Sequence, residues 1–233
     1  MENKKPRIGF ALCGSFCTFT RTIAVLEKLA RDYDIYPIMS EVAFSTDTRF
    51  GKSEDFRTQI KNICRREIIH TVKEAEPIGP KKMLDALIIA PCTGNTIAKL
   101  ASGIADSSVT LAAKAHLRNG RPVIVAVSSN DALAANAENI GKLLNRENFY
   151  FVPFGQDDAE GKPRSLVAEM EKIPNITLSY YLDTYEPLWY LEIQAGGVDK
   201  RLSVEILREM AGADHVIAFG DNHNDLAMAH GAD

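Results

Sequence analysis

Four short stretches carry residue types that could do chemistry, and each follows an apolar run. In "LCGSFCTFT", Gly14 permits a tight turn, and Ser15 and Thr18 set hydroxyls beside the free N–H groups of a helix start. That combination suits a phosphate, and equally a plain helix cap. In "SEVAFSTDTRFG", Ser45, Thr46 and Thr48 either reach the same ligand from a neighbouring strand end or form a polar surface loop. In "APCTGNTIAKLASGIADS", Pro91 ends a strand, Gly94 frees the backbone, and Asn95 and Thr96 open the next helix. Asparagine both donates and accepts hydrogen bonds, which suits a flavin edge or a carboxylate without adding charge. In "FGDNHNDLAMAHGAD", Asp221, Asn224 and Asp225 fall on a strand-to-helix turn and are good ligands for a hard cation such as Mg²⁺.

These residues need a frame, and the rest of the chain supplies it. Its 233 residues suffice for one large domain or one domain with an appendage. Apolar residues make up 45% and charged residues 25%, the balance of a globular protein. The net charge of −4 gives no support for a nucleic-acid or membrane-surface role. No apolar run approaches the roughly 20 residues of a membrane-spanning helix. The short apolar run in "MENKKPRIGFALCGS" reads as a buried first strand and not as a signal peptide. Cys13, Cys17, Cys64 and Cys92 form no CxxC pair, which fits reduced thiols in a cytoplasmic protein.

Apolar runs alternate with segments of helical period. "RIGFAL", "IYPIMS", "DALIIAP", "PVIVAVS" and "FYFVPF" read as strands. "TFTRTIAVLEKLARDY", "SEDFRTQIKNICRRE", the segment from Asn95, "DALAANAENIGKLLN" and "SLVAEMEK" read as helices. This alternation predicts a Rossmann-like α/β fold, a doubly wound parallel sheet with helices on both faces. Ligands of such sheets bind at the carboxyl ends of the strands, where the strand order reverses. A second register begins near Pro174: "LWYLEI" as strand, "SVEILREMA" as helix, "HVIAF" as strand and "NDLAMAH" as a further helix. The expected domains are therefore 1–174 and 175–233.

The segment Pro91–Asp106 resembles the P-x-[ST]-x-N-T-[IL]-A-K-[IL]-A-x-G-[IL]-x-D pattern of FMN-binding flavoproteins in the phosphopantothenoylcysteine decarboxylase class. Within that class, "IGFALCGSFCTF", "STDTRFG", "AEPIGPKKMLDALIIAPCTGNTIAKLA", "AAKAHLRNGRPVIVAVSSNDAL" and "NFYFVPFGQDDAEGKPRSLVAEM" are similar to the B-subunit family of dipicolinate synthases, over about residues 7–170. The resemblance implies a flavoprotein fold, bound FMN, and a sporulation role with an NAD(P)-binding A-type subunit in oxidising dihydrodipicolinate, a small dicarboxylate, to dipicolinate. It further implies a homo-oligomer. Carried over by position, Gly14, Ser15 and Thr18 would hold the FMN phosphate, and Ser45 and Thr46 would lie beside the cofactor. Pro91, Thr93, Asn95 and Thr96 would line its ring and ribityl chain. Asn130 matches a substrate-facing asparagine of the decarboxylases, and its other reading is an N-cap to a helix from Asp131. Asn95 and Asn130 would position substrate carboxylates.

One departure matters. Pro77 stands where the decarboxylases of this class place a catalytic histidine, and proline cannot transfer a proton. His70 lies upstream, out of register, and reads as a surface residue. No general base is identified from the sequence, and a non-catalytic partner subunit is a further reading.

The C-terminal register resembles Cof-type haloacid-dehalogenase-like phosphatases, with Lys200 matching their phosphoryl-steadying lysine and Asp221 and Asp225 their Mg²⁺ carboxylates. A Mg²⁺-dependent phosphohydrolase is thus the alternative function. That chemistry needs an aspartate nucleophile after the first strand. "STDTR" has Ser45 there, while Asp32 in "DYDIY" follows a helix and precedes a strand. The register stops at Asp233, and the expectation is a partial module, silent as a phosphatase.

Overall fold

The computed structural model describes residues 5–182, 189–195 and 200–217. They fall into two compact units, Met1–Glu171 and Lys172–Asp233, each taken by itself below.

The first unit is built on strands β1 (Arg7–Leu12), β2 (Asp34–Met39), β3 (Ala86–Cys92), β4 (Val123–Ser129), β5 (Phe149–Phe151), β6 (Phe154–Gly155) and β7 (Leu166–Ala168). Its helices are α1 (Phe19–Asp32), α2 (Glu41–Ser45), α3 (Ser53–Cys64), α4 (Val72–Ala75), α5 (Gly94–Ser102), α6 (Ser108–Leu117) and α7 (Ala137–Leu144). Strands β1 to β5 are parallel in the order β2-β1-β3-β4-β5, and the turn of direction falls between β1 and β3. This is the flavodoxin-like winding, which opens a crevice beyond the carboxyl ends of β1 and β3. Near its carboxyl end β4 exchanges β5 for β7, which runs antiparallel to it and carries β6.

The pattern of apolar residues explains the layers. Every residue of β3 is buried, as expected for a central strand covered on both faces. In α1 the buried residues Phe19, Thr22, Ile23, Leu26 and Leu29 recur at helical spacing and form one stripe. Helix α6 buries Val109, Ala112, Ala113, Ala115 and His116, small residues that, His116 aside, allow close approach to the sheet. Asp85, just before β3, ties the amino ends together: it accepts from the Arg7 amide (2.8 Å), from Arg7 Nη2 (2.9 Å) and from Arg121 Nη1 (3.0 Å).

Three expectations are corrected. "SLVAEMEK" is not a helix: Leu166–Ala168 is a strand, and a 3₁₀ turn follows at Met170–Asn175. Its three strand residues find ready partners in β4 and β6, and so short a segment shows no periodicity. The helix expected from Asp131 starts instead at Ala137, after a run of turns. Finally, His215–Ile217 of the expected strand "HVIAF" carries no regular structure, and its other residues lie outside the described ones.

In the second unit, β8 (Ile176–Leu182) and β9 (Trp189–Ala195) form an antiparallel pair, in register from Ile176 with Ala195 to Leu182 with Trp189. Helix α8 spans Lys200–Ala211.

Candidate functional site

The loops after β1, β2, β3 and β4 meet at the carboxyl end of the sheet. Backbone hydrogen bonds set their spacing: the Cys13 amide donates to Pro91 O (3.1 Å), and the Ser40 amide to Leu12 O (3.0 Å). Pro91 follows a cis peptide bond and lies where the pairing of β3 with β4 shifts register, between Ile89 and Cys92. A proline has no N–H to give a central ladder, so it sits at the irregularity.

Ser15 and Thr18 bracket a 3₁₀ turn, Phe16–Thr18, that leads into α1. The amides of Ser15, Thr18 and Phe19 are already used within this turn, donating to Cys13 O (2.8 Å), Ser15 O (3.1 Å) and Phe16 O, so the groups it offers a ligand are chiefly hydroxyls. Thr18 Oγ1 donates to Ser15 O (2.8 Å), and Ser15 Oγ lies 2.7 Å from Ser128 Oγ at the end of β4. Across the crevice, Thr93 Oγ1 is 3.2 Å from Thr96 Oγ1, which donates to Cys13 Sγ (3.3 Å). Thr96 is buried, while Asn95 beside it on the first turn of α5 is exposed. Burial pushes the Cys13 thiol up to about 11, with the Thr96 hydrogen bond working against that, and Cys92 is likewise raised. Both are inert, neutral packing groups and not nucleophiles.

The turn after β4 is held by a polar cluster that the sequence did not reveal. Ser129 Oγ and Asn136 Nδ2 both donate to the Asp131 carboxylate, the latter at 2.7 Å, and Asn139 Nδ2 donates to Asn136 Oδ1 (3.1 Å). Gly94, at the start of α5, rests directly on this cluster. A Cβ there would lie 2.5 Å from Asn136 Nδ2, 2.6 Å from Ser129 Oγ and 2.7 Å from Asp131 Oδ1. Only glycine allows α5 to start so close to the end of β4. Asn130 tops the turn, exposed, and is not a helix cap, since α7 begins later.

Ser45 and Thr46 are both exposed at the end of α2, and Ser45 Oγ donates back to Glu41 O (2.8 Å). Sequence reading also missed the setting of His70. Ile69 pairs in parallel with Ile38, which brings His70 to the rim, where its ring stacks on Phe44 at 3.8 Å and Nδ1 lies 3.1 Å from Glu74 Oε2. Pro77 sits in a 3₁₀ turn, Glu76–Ile78.

The metal ligands expected in the C-terminal register, Asp221 and Asp225, lie outside the described residues, as does Asn224, and Lys200 begins α8. Among the described residues no group of three His, Cys, Asp or Glu could hold a metal ion. Nor is any helix among them long and apolar enough to cross a membrane.

Comparison with known proteins decides the family. A model of the flavoprotein family matches residues 1–177. The chain belongs to the flavoprotein family. It is 43% identical over 172 residues to the dipicolinate synthase B-subunit of Bacillus subtilis (strain 168), covering 73% of this chain and 86% of that one. The crystal structure of the dipicolinate synthase B-subunit from Bacillus halodurans C superposes with a TM-score of 0.67 at 43% identity, over 75% of this chain and 90% of that one. An FMN-dependent cysteine decarboxylase, SpaF, shares the fold at 19% identity with a TM-score of 0.54, over 71% of this chain and 91% of its own.

A model of haloacid dehalogenase-like hydrolases matches residues 127–233. The two matches overlap, and the overlapping residues up to Ala168 are built into the seven-stranded sheet through β4, β5, β6 and β7.

The donor set fits a flavin mononucleotide. The hydroxyls of Ser15 and Thr18, at the turn leading into α1, suit a phosphate. The uncharged Thr93, Asn95, Thr96 and Ser128 suit the polar edge of a flavin and its polyol chain.

Proposed function

We propose that this chain is an FMN-binding subunit of a dipicolinate synthase, acting with an NAD(P)-binding A-type subunit in the oxidation of dihydrodipicolinate to dipicolinate in sporulation. The observation that carries the reading is the convergence of Ser15, Thr18, Thr93, Thr96 and Ser128 at the β1/β3 crevice, in a chain 43% identical to a dipicolinate synthase B-subunit. In this reading residues 1–174 form the flavoprotein domain of a cytoplasmic homo-oligomer, with 175–233 as a separate segment.

Aromatising a dihydropyridine dicarboxylate removes two electrons and two protons, and the chemistry a flavin supplies when bound is two-electron oxidation. The residues of this chain position the reactants. Gly14, Ser15 and Thr18 hold the phosphate, with Ser45 and Thr46 beside the cofactor. Pro91, Thr93 and Thr96 form the wall behind the ring. Asn95, exposed on the first turn of α5, and Asn130, exposed on the turn after β4, donate to the substrate carboxylates and hold the ring in place. Such positioning accounts for much of the rate advantage of a bound over a free reaction. No proton transfer is assigned to Pro77, and decarboxylation by the histidine route of related enzymes is excluded on that ground.

Phosphoryl transfer by the C-terminal register is not adopted. Its Mg²⁺ ligands rest on motif alone, and Ser45 occupies the place of the nucleophile. The test is reconstitution with an A-type subunit, NAD(P), FMN and dihydrodipicolinate, following dipicolinate by ultraviolet absorbance. Product formation should require both this chain and FMN. An equal rate from the partner alone, or with flavin stripped away, would refute the reading.

A further inference from the structure

Beyond β2, just after Ser45 and Thr46, the chain makes a tight turn at Thr48–Gly51. The Thr48 amide donates to Gly51 O (3.0 Å) and the Gly51 amide donates back to Thr48 O (3.1 Å), closing a small ring. The Phe50 amide adds a bond to Thr48 Oγ1 (3.2 Å). Gly51 takes φ +149°, and a Cβ there would lie 2.7 Å from Phe56 Cζ. The Phe56 ring seats the turn. It meets Phe19 edge-on at 5.1 Å, and Phe19 lies 5.0 Å from Phe16 in the loop after β1. A chain of three rings thus fixes the turn relative to the Gly14–Thr18 loop.

Two side chains ride on this anchored turn, both exposed. The Arg49 guanidinium lies 4.8 Å over the Phe50 ring, and Phe50 is 47% exposed. Among the described residues Arg49 has no carboxylate partner. The nearby Asp47 is already engaged, accepting from the Ser53 amide (2.8 Å) and Oγ (2.9 Å). Those hydrogen bonds hold its carboxyl below the usual range, with Lys52 and Arg57 adding to the effect. Glu54 and Asp55 occupy the first turn of α3, where the helix amides favour them.

We infer that Arg49 and Phe50 form the carboxylate clamp of the site and select a six-membered-ring heterocyclic dicarboxylate, the dihydropyridine substrate and its pyridine product alike. The inference rests on the reading under Proposed function. A guanidinium presents paired donors that match a carboxylate, and the ring beside it offers a face to a flat heterocycle. Because the turn is already closed and packed, little conformational freedom is lost on binding. Asn95 and Asn130 then take the second carboxylate, from the far side of the crevice.

The test uses the full chain loaded with FMN, titrated with dipicolinate by calorimetry. Wild type should bind. Arg49→Gln should weaken binding roughly tenfold or more, Arg49→Lys by less, and Phe50→Leu by several-fold. FMN affinity should be unchanged in all three, and Lys114→Gln on α6 should bind as wild type does. Equal dipicolinate affinity in wild type and Arg49→Gln would overturn the clamp alone. A parallel loss of FMN in Arg49→Gln would overturn it too, by making the turn structural. Failure of wild type itself to bind would overturn both the clamp and the dipicolinate reading.

Discussion

Ser15 Oγ and Ser128 Oγ stand 2.7 Å apart, although 113 residues separate them and β3 runs between their strands. The contact closes the loop after β1 over the end of β3 and joins two walls of the crevice. A hydrogen bond of this kind contributes about 1 kcal/mol net.

Ser15→Ala and Ser128→Ala should therefore couple. A double-mutant cycle in urea unfolding of the flavin-free protein is expected to give about 0.5–1.5 kcal/mol of interaction. FMN affinity should fall further for Ser15→Ala, because the proposed function gives its hydroxyl to the phosphate. Strictly additive stabilities would show that the two hydroxyls do not interact.

Gly94→Ala would drive a methyl group into Asn136, Ser129 and Asp131, which hold one another in place. The expected loss is about 1–3 kcal/mol of stability, with weaker FMN binding because α5 carries Asn95 and Thr96. Unchanged stability and affinity would mean that α5 does not depend on this close approach.

His116 links stability to pH. Burial lowers its pKa to about 4; the Pro122 carbonyl, 3.1 Å from Nε2, opposes this, and the Arg121 charge assists it. An unfolded histidine titrates near 6.5, so between about 6.5 and 4 the unfolded chain binds the extra proton. The contribution is thus complete above about 6.5 and is lost as pH falls toward 4, amounting to about 3 kcal/mol at most. His116→Gln should lack this part of the slope in chemical unfolding followed across that window. The same slope in both proteins would show that His116 is not held neutral.

Asp85 makes the corresponding test at the opposite end of the sheet. Burial raises its carboxyl, but hydrogen bonds from Arg7 and the charges of Arg7 and Arg121 outweigh this and hold it below the usual range. Asp85→Ala should cost about 2–4 kcal/mol. That difference from wild type should shrink as pH falls below about 4, where the unfolded carboxyl takes up its proton ahead of the folded one. FMN affinity should stay as in wild type, since Asp85 joins the amino ends of the strands. A selective loss of flavin would contradict the placement of the site.

How far the residues announced this structure depends on what shaped each segment. The parallel strands were legible because β3 and β4 are almost continuous apolar runs, which only a doubly covered strand tolerates. Helix α1 was legible through the spacing of Ile23, Leu26 and Leu29. The turn at Asp131–Asn136 was not, because its alanines suit a helix while the Asp131 carboxylate instead collects Ser129 and Asn136. Strand β7 exists through its pairing with β4 and β6, a long-range cause that local pattern does not carry. In the candidate site, the position of Thr93, Asn95 and Thr96 was legible because they follow an apolar strand and open a helix. The settings of Ser128 and of the Arg49 turn were not, since they lie in contacts with Ser15 and with Phe56.

Flavin binding is the claim on which the rest depends, and a titration of the purified chain with FMN measures it directly. Saturable quenching of flavin fluorescence with a shifted visible absorption band is expected, and Thr96→Val or Asn95→Ala should weaken it. Folded wild-type protein that leaves the flavin spectrum and fluorescence unchanged would contradict the assignment.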